Sequence, residues 1–196
     1  MKTSYYEMWK AYENIFNRCQ LNFKVVEGDS GAMGGSDSHE FIAMSDVGET
    51  EIAYCNVCDY AATDEKASCT YTLESDAKLL DLEKVHTPNT KTIDELKLFF
   101  NLPKSHFIKT LLFTAKDQTY AVLIPGDREL NELKLLKHID GQEHDLEIAS
   151  EEVVKAATQA EVGFAGPIGL HEDVKILIDS RIPMLKNAII GANETD

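Results

Sequence analysis

Two apolar runs rich in β-branched and aromatic residues, "HFIKTLLFTA" (106–115) and "TYAVLIPG" (119–126), stand three residues apart. Their spacing across "KDQ" predicts a β-hairpin. A hairpin alone is marginal in water, so its neighbours must supply the layers that cover it. Before it, in "HTPNTKTIDELKLFFNLP", Thr92 and Glu95 have capping-box spacing, and Ile93, Leu96, Phe99 and Phe100 form a helical stripe ending before Pro103. After it, "DRELNELKLLKHI" carries Leu130, Leu133, Leu135, Leu136 and Ile139 and reads as a helix, and Ser150 caps a second one, "EEVVKAATQA". "GFAGPIGL" reads as a glycine–proline loop and "VKILIDS" as a buried strand. Asp179 closes that strand, where polar groups of α/β units face a cleft, although it equally suits a cap on the following turn. These elements predict an α/β unit over residues 85–196.

The preceding residues have a different pattern. Tyr5, Met8, Trp9, Tyr12, Ile15 and Phe16 fall on one helical stripe behind a candidate N-cap, Ser4. "NFKVVEG", "SHEFIAMS" and "ETEIAYCNVC" read as strands. Helix followed by strands predicts an α+β unit with an antiparallel sheet over residues 1–84, and the mixed, charged stretch 64–85 holds the boundary. The chain carries 34 acidic against 19 basic residues, a net charge of −15. That argues against non-specific nucleic-acid binding, so any contact with phosphate must rest on a local basic patch. No apolar run approaches a membrane span, and the polar, periodic start does not suit a signal peptide. Four cysteines without a secretory signal predict reduced thiols and a cytoplasmic protein.

Several motifs are tempting and fail on spacing. In "GDSGAMGGSDSHEF" no lysine follows Gly35, which excludes a phosphate loop. Ser30, Ser36 and Ser38 all miss the Gly-x-Ser-x-Gly of a nucleophile turn. Cys55-x-x-Cys58 has zinc-like spacing with Cys69 further on, but neither His39 nor His86 supplies a convincing fourth ligand, and no metal is expected. His39 and Glu40 are adjacent on a predicted strand and point to opposite faces, so they are not an acid–base pair. His106, His138, His144 and His171 are expected to face solvent. Lys109 is sharper: alternation puts it on the face of Phe107 and Leu111, which calls either for a function or for snorkelling at the strand end.

Taken in order, these stretches resemble bacterial prolyl-tRNA synthetases. "DSGAMGGSDSHEF" and "DYAATDEKA" resemble the class II catalytic domain just after its second signature motif. "HTPNTKTIDELKLFFNLP", "IKTLLF", "GDRELNELK", "GFAGP" and "ILID" resemble the editing domain inserted into these enzymes, whose fold also occurs in freestanding deacylases. The resemblance implies a partial antiparallel class II sheet followed by a mixed-sheet editing domain. Arg18, Arg128 and Arg181 are the only arginines, and none sits in a motif matching the family's ATP-binding arginines. The chain is therefore expected not to activate proline alone. The resemblance implies a homodimeric parent that uses ATP and magnesium to join proline to its tRNA. It also implies a pocket histidine shortly after the "GAN" segment, past residue 196, so that the alternative is a module that binds the tRNA acceptor end without hydrolysing it.

The same resemblance implies the chemistry. Alanine is smaller than proline and cannot be excluded by size, since an apolar pocket gains only ~1–3 kcal/mol per methylene. A second sieve must admit the alanyl ester and hydrolyse it. Ile93, Leu96 and Leu130 are then expected to line a methyl pocket with Thr87 at its entrance, though apolar helix faces are also ordinary core. Lys109 is expected to contact the tRNA end, and Asp179 to stand near the amino group. Gly163 and Pro167 match a Gly-x-x-x-Pro loop whose amides polarise the carbonyl. Attack falls to water, helped by a hydroxyl of the terminal adenosine, with no cofactor. His39 is expected to support the proline pocket of the intact synthetase.

Overall fold

The structure, a computed structural model, describes residues 2–30, 38–72, 77–139 and 145–195. Residues 31–37 of the glycine stretch, Ser36 among them, fall outside these, as does His144. The chain divides between Cys69 and Thr70, and each unit has its own sheet.

In the first unit, helix α1 (Lys2–Arg18) begins before Ser4, which is therefore a helical residue and not its cap. The aromatic stripe meets the sheet: Phe16 lies 5.1 Å from Phe23 and 5.5 Å from Phe41 between ring centres. Strands β1 (Phe23–Glu27), β2 (His39–Ala43), β3 (Ile52–Tyr54) and β4 (Ala61–Thr63) form a sheet in the order β2-β1-β4-β3. The expected antiparallel sheet is in fact mixed, because β4 pairs parallel with β1 through Glu27 and Ala62. Three small residues, Ala61, Ala62 and Thr63, carry too little β signal to be read as a strand, yet all three are buried at the centre of the sheet.

The second unit is built on the hairpin of β5 (Ile108–Ala115) and β6 (Gln118–Pro125). The connection is two residues, Lys116 and Asp117, with φ of 49° and 63°. Left-handed backbone at both positions matches the twist of the paired strands, which is why the turn is tighter than "KDQ" suggested. Strand β7 (Leu146–Ile148) adds antiparallel to β5, and β8 (Lys175–Ile178) adds parallel to β6, giving the order β7-β5-β6-β8. β8 was expected to be buried; it is an edge strand with Ile176 and Ile178 exposed.

Helices cover both faces. Helix α3 (Glu132–His138) sets Leu135 against Phe113, Val122 and Ile124, while α4 (Glu151–Thr158) sets Val154 and Ala157 against Leu112 and Ala149. Asn131 caps α3 and Ser150 caps α4. The predicted helix start was therefore five residues early, and Leu130 precedes the cap, packing on the α3-side core from a loop. Residues 77–86 also belong to this unit: Leu80 N donates to Asn187 Oδ1 and Lys84 pairs with Glu194.

Helix α2 (Ile93–Phe100) has the capping box its sequence promised. Thr92 Oγ1 accepts from Glu95 N at 3.2 Å, and Glu95 Oε2 accepts from Thr92 N at 2.8 Å. The Thr92 and Lys91 amides hold the Glu95 carboxyl below its ordinary pKa. Thr92→Ala is expected to lower stability by about 1 kcal/mol. A urea midpoint equal to that of the unaltered protein would show that the box contributes nothing.

Candidate functional site

The register of the second sheet places the charged candidates together. Lys109 pairs with Ile124, and Leu123 with Ile178, whose successor Asp179 donates its N–H to Leu123 O at 2.9 Å. Lys109, Ile124 and Asp179 thus form one row across β5, β6 and the end of β8. Registered partners share a face. Ile124 packs in the α3-side cluster, and Leu130 packs beside it.

Lys109 has a side chain only 18% exposed, and its Nζ donates to Glu129 Oε1 at 2.9 Å. Glu129 is 92% exposed on the loop before α3. An ion pair with one partner this exposed is worth little, so another anion can take its place. A mostly covered side chain whose ammonium meets an exposed carboxylate is the geometry of the snorkelling reading.

Asp179 is both a turn cap and half of an ion pair. Its Oδ1 accepts from Arg181 N and Nε, each at 2.9 Å, and its Oδ2 from Arg181 Nη2 at 3.1 Å. The Arg181 guanidinium holds the Asp179 carboxyl below the usual carboxylate range, and Asp179 in turn raises Arg181. Arg181 also lies 4.7 Å from the centre of the Tyr71 ring. A carboxylate lowered in the folded state stabilises above its unfolded value, about 3.9, and that stability is lost as pH falls through the folded value. Melting temperature followed from pH 6 to pH 2 is expected to fall less steeply in Asp179→Asn than in the unaltered protein. Parallel curves would remove Asp179 from the acid limb.

The loop candidates stand on other supports. Gly163 has φ of +104°, a conformation open chiefly to glycine, and a Cβ there would lie 3.6 Å from Lys91 Cβ. Lys91 Nζ sits 5.1 Å from the centre of the Phe164 ring, which ties the loop to the residue before the α2 cap. Ala165 packs on the α4-side core. The loop's amides are unequal: Phe164 N donates to Glu161 O and Gly166 N to Asn193 Oδ1, while Pro167 has none. Among the described residues, Gly163 and Ala165 have amides that donate to no acceptor.

Ile93 and Leu96 lie half-buried on α2, and Thr87 accepts from Thr90 at the start of the same segment. The structure thus gathers Lys109, Leu130 and Asp179 at one end of a sheet face, and Gly163 and Pro167 on a loop beside Lys91. The segment 189–193 runs from one to the other. Ile189 exchanges hydrogen bonds with His106 and Ile108, next to Lys109, and Asn193 bonds the loop. Sequence reasoning used "GAN" only as a landmark and missed Asn193. A single left-handed asparagine, here with φ of 56°, gives no periodic signal.

In the first unit, His39 Nδ1 lies 2.7 Å from Tyr5 Oη, and its ring centre 4.8 Å from that of Trp9. With Met8, Tyr12, Phe16 and Phe41 they line a cleft of about 350 Å³. Cys55 Sγ accepts from Val57 N at 3.3 Å, and that contact is the main cause of a lowered thiol pKa. Among the described residues, no three histidine, cysteine or acidic side chains converge on a point. His106, His138 and His171 are exposed. None of the described helices is long and apolar enough to cross a membrane.

Residues 87–196 match the family described as "Aminoacyl-tRNA editing domain". The chain is 50% identical over 193 residues to a proline–tRNA ligase of Thermoanaerobacter sp. (strain X514), covering 98% of this chain and 34% of that protein. It is 48% identical over 194 residues to that of Caldicellulosiruptor saccharolyticus, covering 98% and 33%. The chain spans about a third of the length of these curated relatives. A solved candidate trans-editing enzyme for prolyl tRNA synthetase is 22% identical with a TM-score of 0.43, covering 47% of this chain and 57% of that one. That likeness is too distant for any assignment to rest on it.

Proposed function

Because the chain belongs to the family of aminoacyl-tRNA editing domains, we propose that it hydrolyses alanyl-tRNA for proline and spares the prolyl ester. The observation that carries this reading is the family match over residues 87–196, which spans Thr87, Ile93, Leu96, Lys109, Leu130, Gly163, Pro167 and Asp179.

In this account Lys109 exchanges Glu129 for the anionic tRNA end. A chain of net charge −15 repels tRNA in general, so a half-buried cation with a replaceable partner is a suitable point of capture. Asp179 takes the α-ammonium. Its Oδ1 is already doubly bonded, and Oδ2 keeps one acceptor site. Ile93, Leu96 and Leu130 border the space for the methyl group, with Thr87 at its mouth. The amides of Gly163 and Ala165 are those available to polarise the ester carbonyl, Pro167 closing the loop. Water attacks the polarised carbonyl carbon and the acyl carbon–oxygen bond breaks. The water's proton passes by way of a neighbouring hydroxyl of the terminal adenosine to the ester oxygen, which leaves as a hydroxyl of the tRNA while alanine is released. No cofactor enters these steps.

In a protein as long as the relatives, residues 1–69 form part of a class II catalytic domain, with His39 and its aromatic cleft beside the proline pocket. That longer protein, a homodimer, joins proline to its tRNA using ATP and magnesium, which this chain alone does not accomplish. The test is a single-turnover incubation of the chain, in excess, with alanyl-tRNA for proline. Release of alanine above the uncatalysed rate is expected; none at saturating protein would reject the reading.

A further inference from the structure

The loop that supplies the free amides does not hold its own shape. Among the described residues, the local anchor of Gly163–Pro167 is Phe164 N on Glu161 O, two residues before the loop. The remaining bonds come from a residue outside it. Asn193 Oδ1 accepts from Gly166 N at 2.6 Å, and Asn193 Nδ2 donates to Gly166 O at 3.2 Å and Ile168 O at 2.7 Å. Asn193 N donates to Phe164 O at 3.1 Å. One side chain and its own amide therefore bond three residues of a seven-residue stretch, 163–169. The backbones are in direct contact as well: a Cβ on Gly191 would lie 2.1 Å from Ala165 O.

Asn193 is itself anchored. Ile189 N donates to His106 O at 2.8 Å and Ile189 O accepts from Ile108 N at 2.9 Å, immediately before Lys109. Three residues separate Ile189 from Asn193, four steps that span at most about 14 Å of chain. We infer that Asn193 is a positioning residue, setting where the Gly163 and Ala165 amides stand relative to Lys109. This rests on the editing reading and adds to it a residue that acts through the loop. An amide displaced by about 1 Å costs on the order of 100-fold in rate, while binding of the tRNA end at Lys109 is unaffected.

Two variants separate the role from simple stability. Asn193→Gly removes the side chain and keeps the backbone free to adopt its φ of 56°. Asn193→Asp keeps the shape and the acceptor for Gly166 N, but loses both donations. At a temperature where both variants are folded by circular dichroism, kcat on alanyl-tRNA is expected to fall on the order of 100-fold, with KM changed less than about threefold. A lowered melting temperature with unchanged kcat would overturn the inference and leave Asn193 a structural residue. Amide exchange followed by NMR needs no substrate: Gly166 is expected to be protected in the unaltered protein and in Asn193→Asp, and to exchange rapidly in Asn193→Gly. If the unaltered protein releases no alanine, the editing reading falls, and equal Gly166 exchange in all three proteins would independently refute the clamp.

Discussion

Lys109→Ala is expected to abolish alanine-selective deacylation, lowering kcat/KM by on the order of 100-fold or more, while the protein stays folded. The asymmetry follows from what each end of the side chain does. The stem is mostly covered, on the strand face it shares with Leu111, and alanine gives up some of that burial. The ammonium contributes little to folding, because its partner Glu129 is almost wholly in solvent. Lys109→Met keeps the stem and removes the charge, so it is expected to match Lys109→Ala in activity and to exceed it in melting temperature. Normal rates on alanyl-tRNA in either variant would remove Lys109 from the site.

Gly166→Ala is expected to be severely destabilising, costing roughly 3 kcal/mol or more. A Cβ at Gly166 would stand 1.7 Å from Gly191 O and 2.4 Å from Gly191 C. No flexible side chain can turn aside there, since the obstacle is backbone that is itself fixed through Ile189 to the start of β5. Either the loop or the 189–193 segment must leave. Gly163→Ala isolates the other reason for glycine: its neighbours leave room, and only the positive φ is strained, at roughly 1–2 kcal/mol. Denaturant midpoints for the pair decide the point; equal losses would mean that close approach of the two backbones does not matter.

Elements whose residues act locally were legible in the sequence. The capping box at Thr92 and Glu95, the Ser150 cap and the β5–β6 hairpin depend on residues within a few positions of one another. Elements fixed by distant partners were not. β4 and β7 are three residues long, and each is a strand only because β1, β3 or β5 pairs with it. β8 reads as buried from "KILI", yet it has a partner on one side only, so Ile176 and Ile178 stay exposed. Leu130 looked helical because the leucine spacing runs on past Asn131, whose side chain starts α3 later. The same division holds at the site. Lys109 drew notice as a charge on an apolar strand face. The grip of Arg181 on Asp179 and of Asn193 on Gly166 depends on side-chain geometry that spacing does not encode.

Editing by this chain is tested by the ratio of deacylation rates on alanyl- and prolyl-tRNA for proline, with the same tRNA and the same protein. Release of alanine with little release of proline is expected, and loss of the alanine reaction in Lys109→Ala. Equal rates on both esters, or none on either, would contradict it.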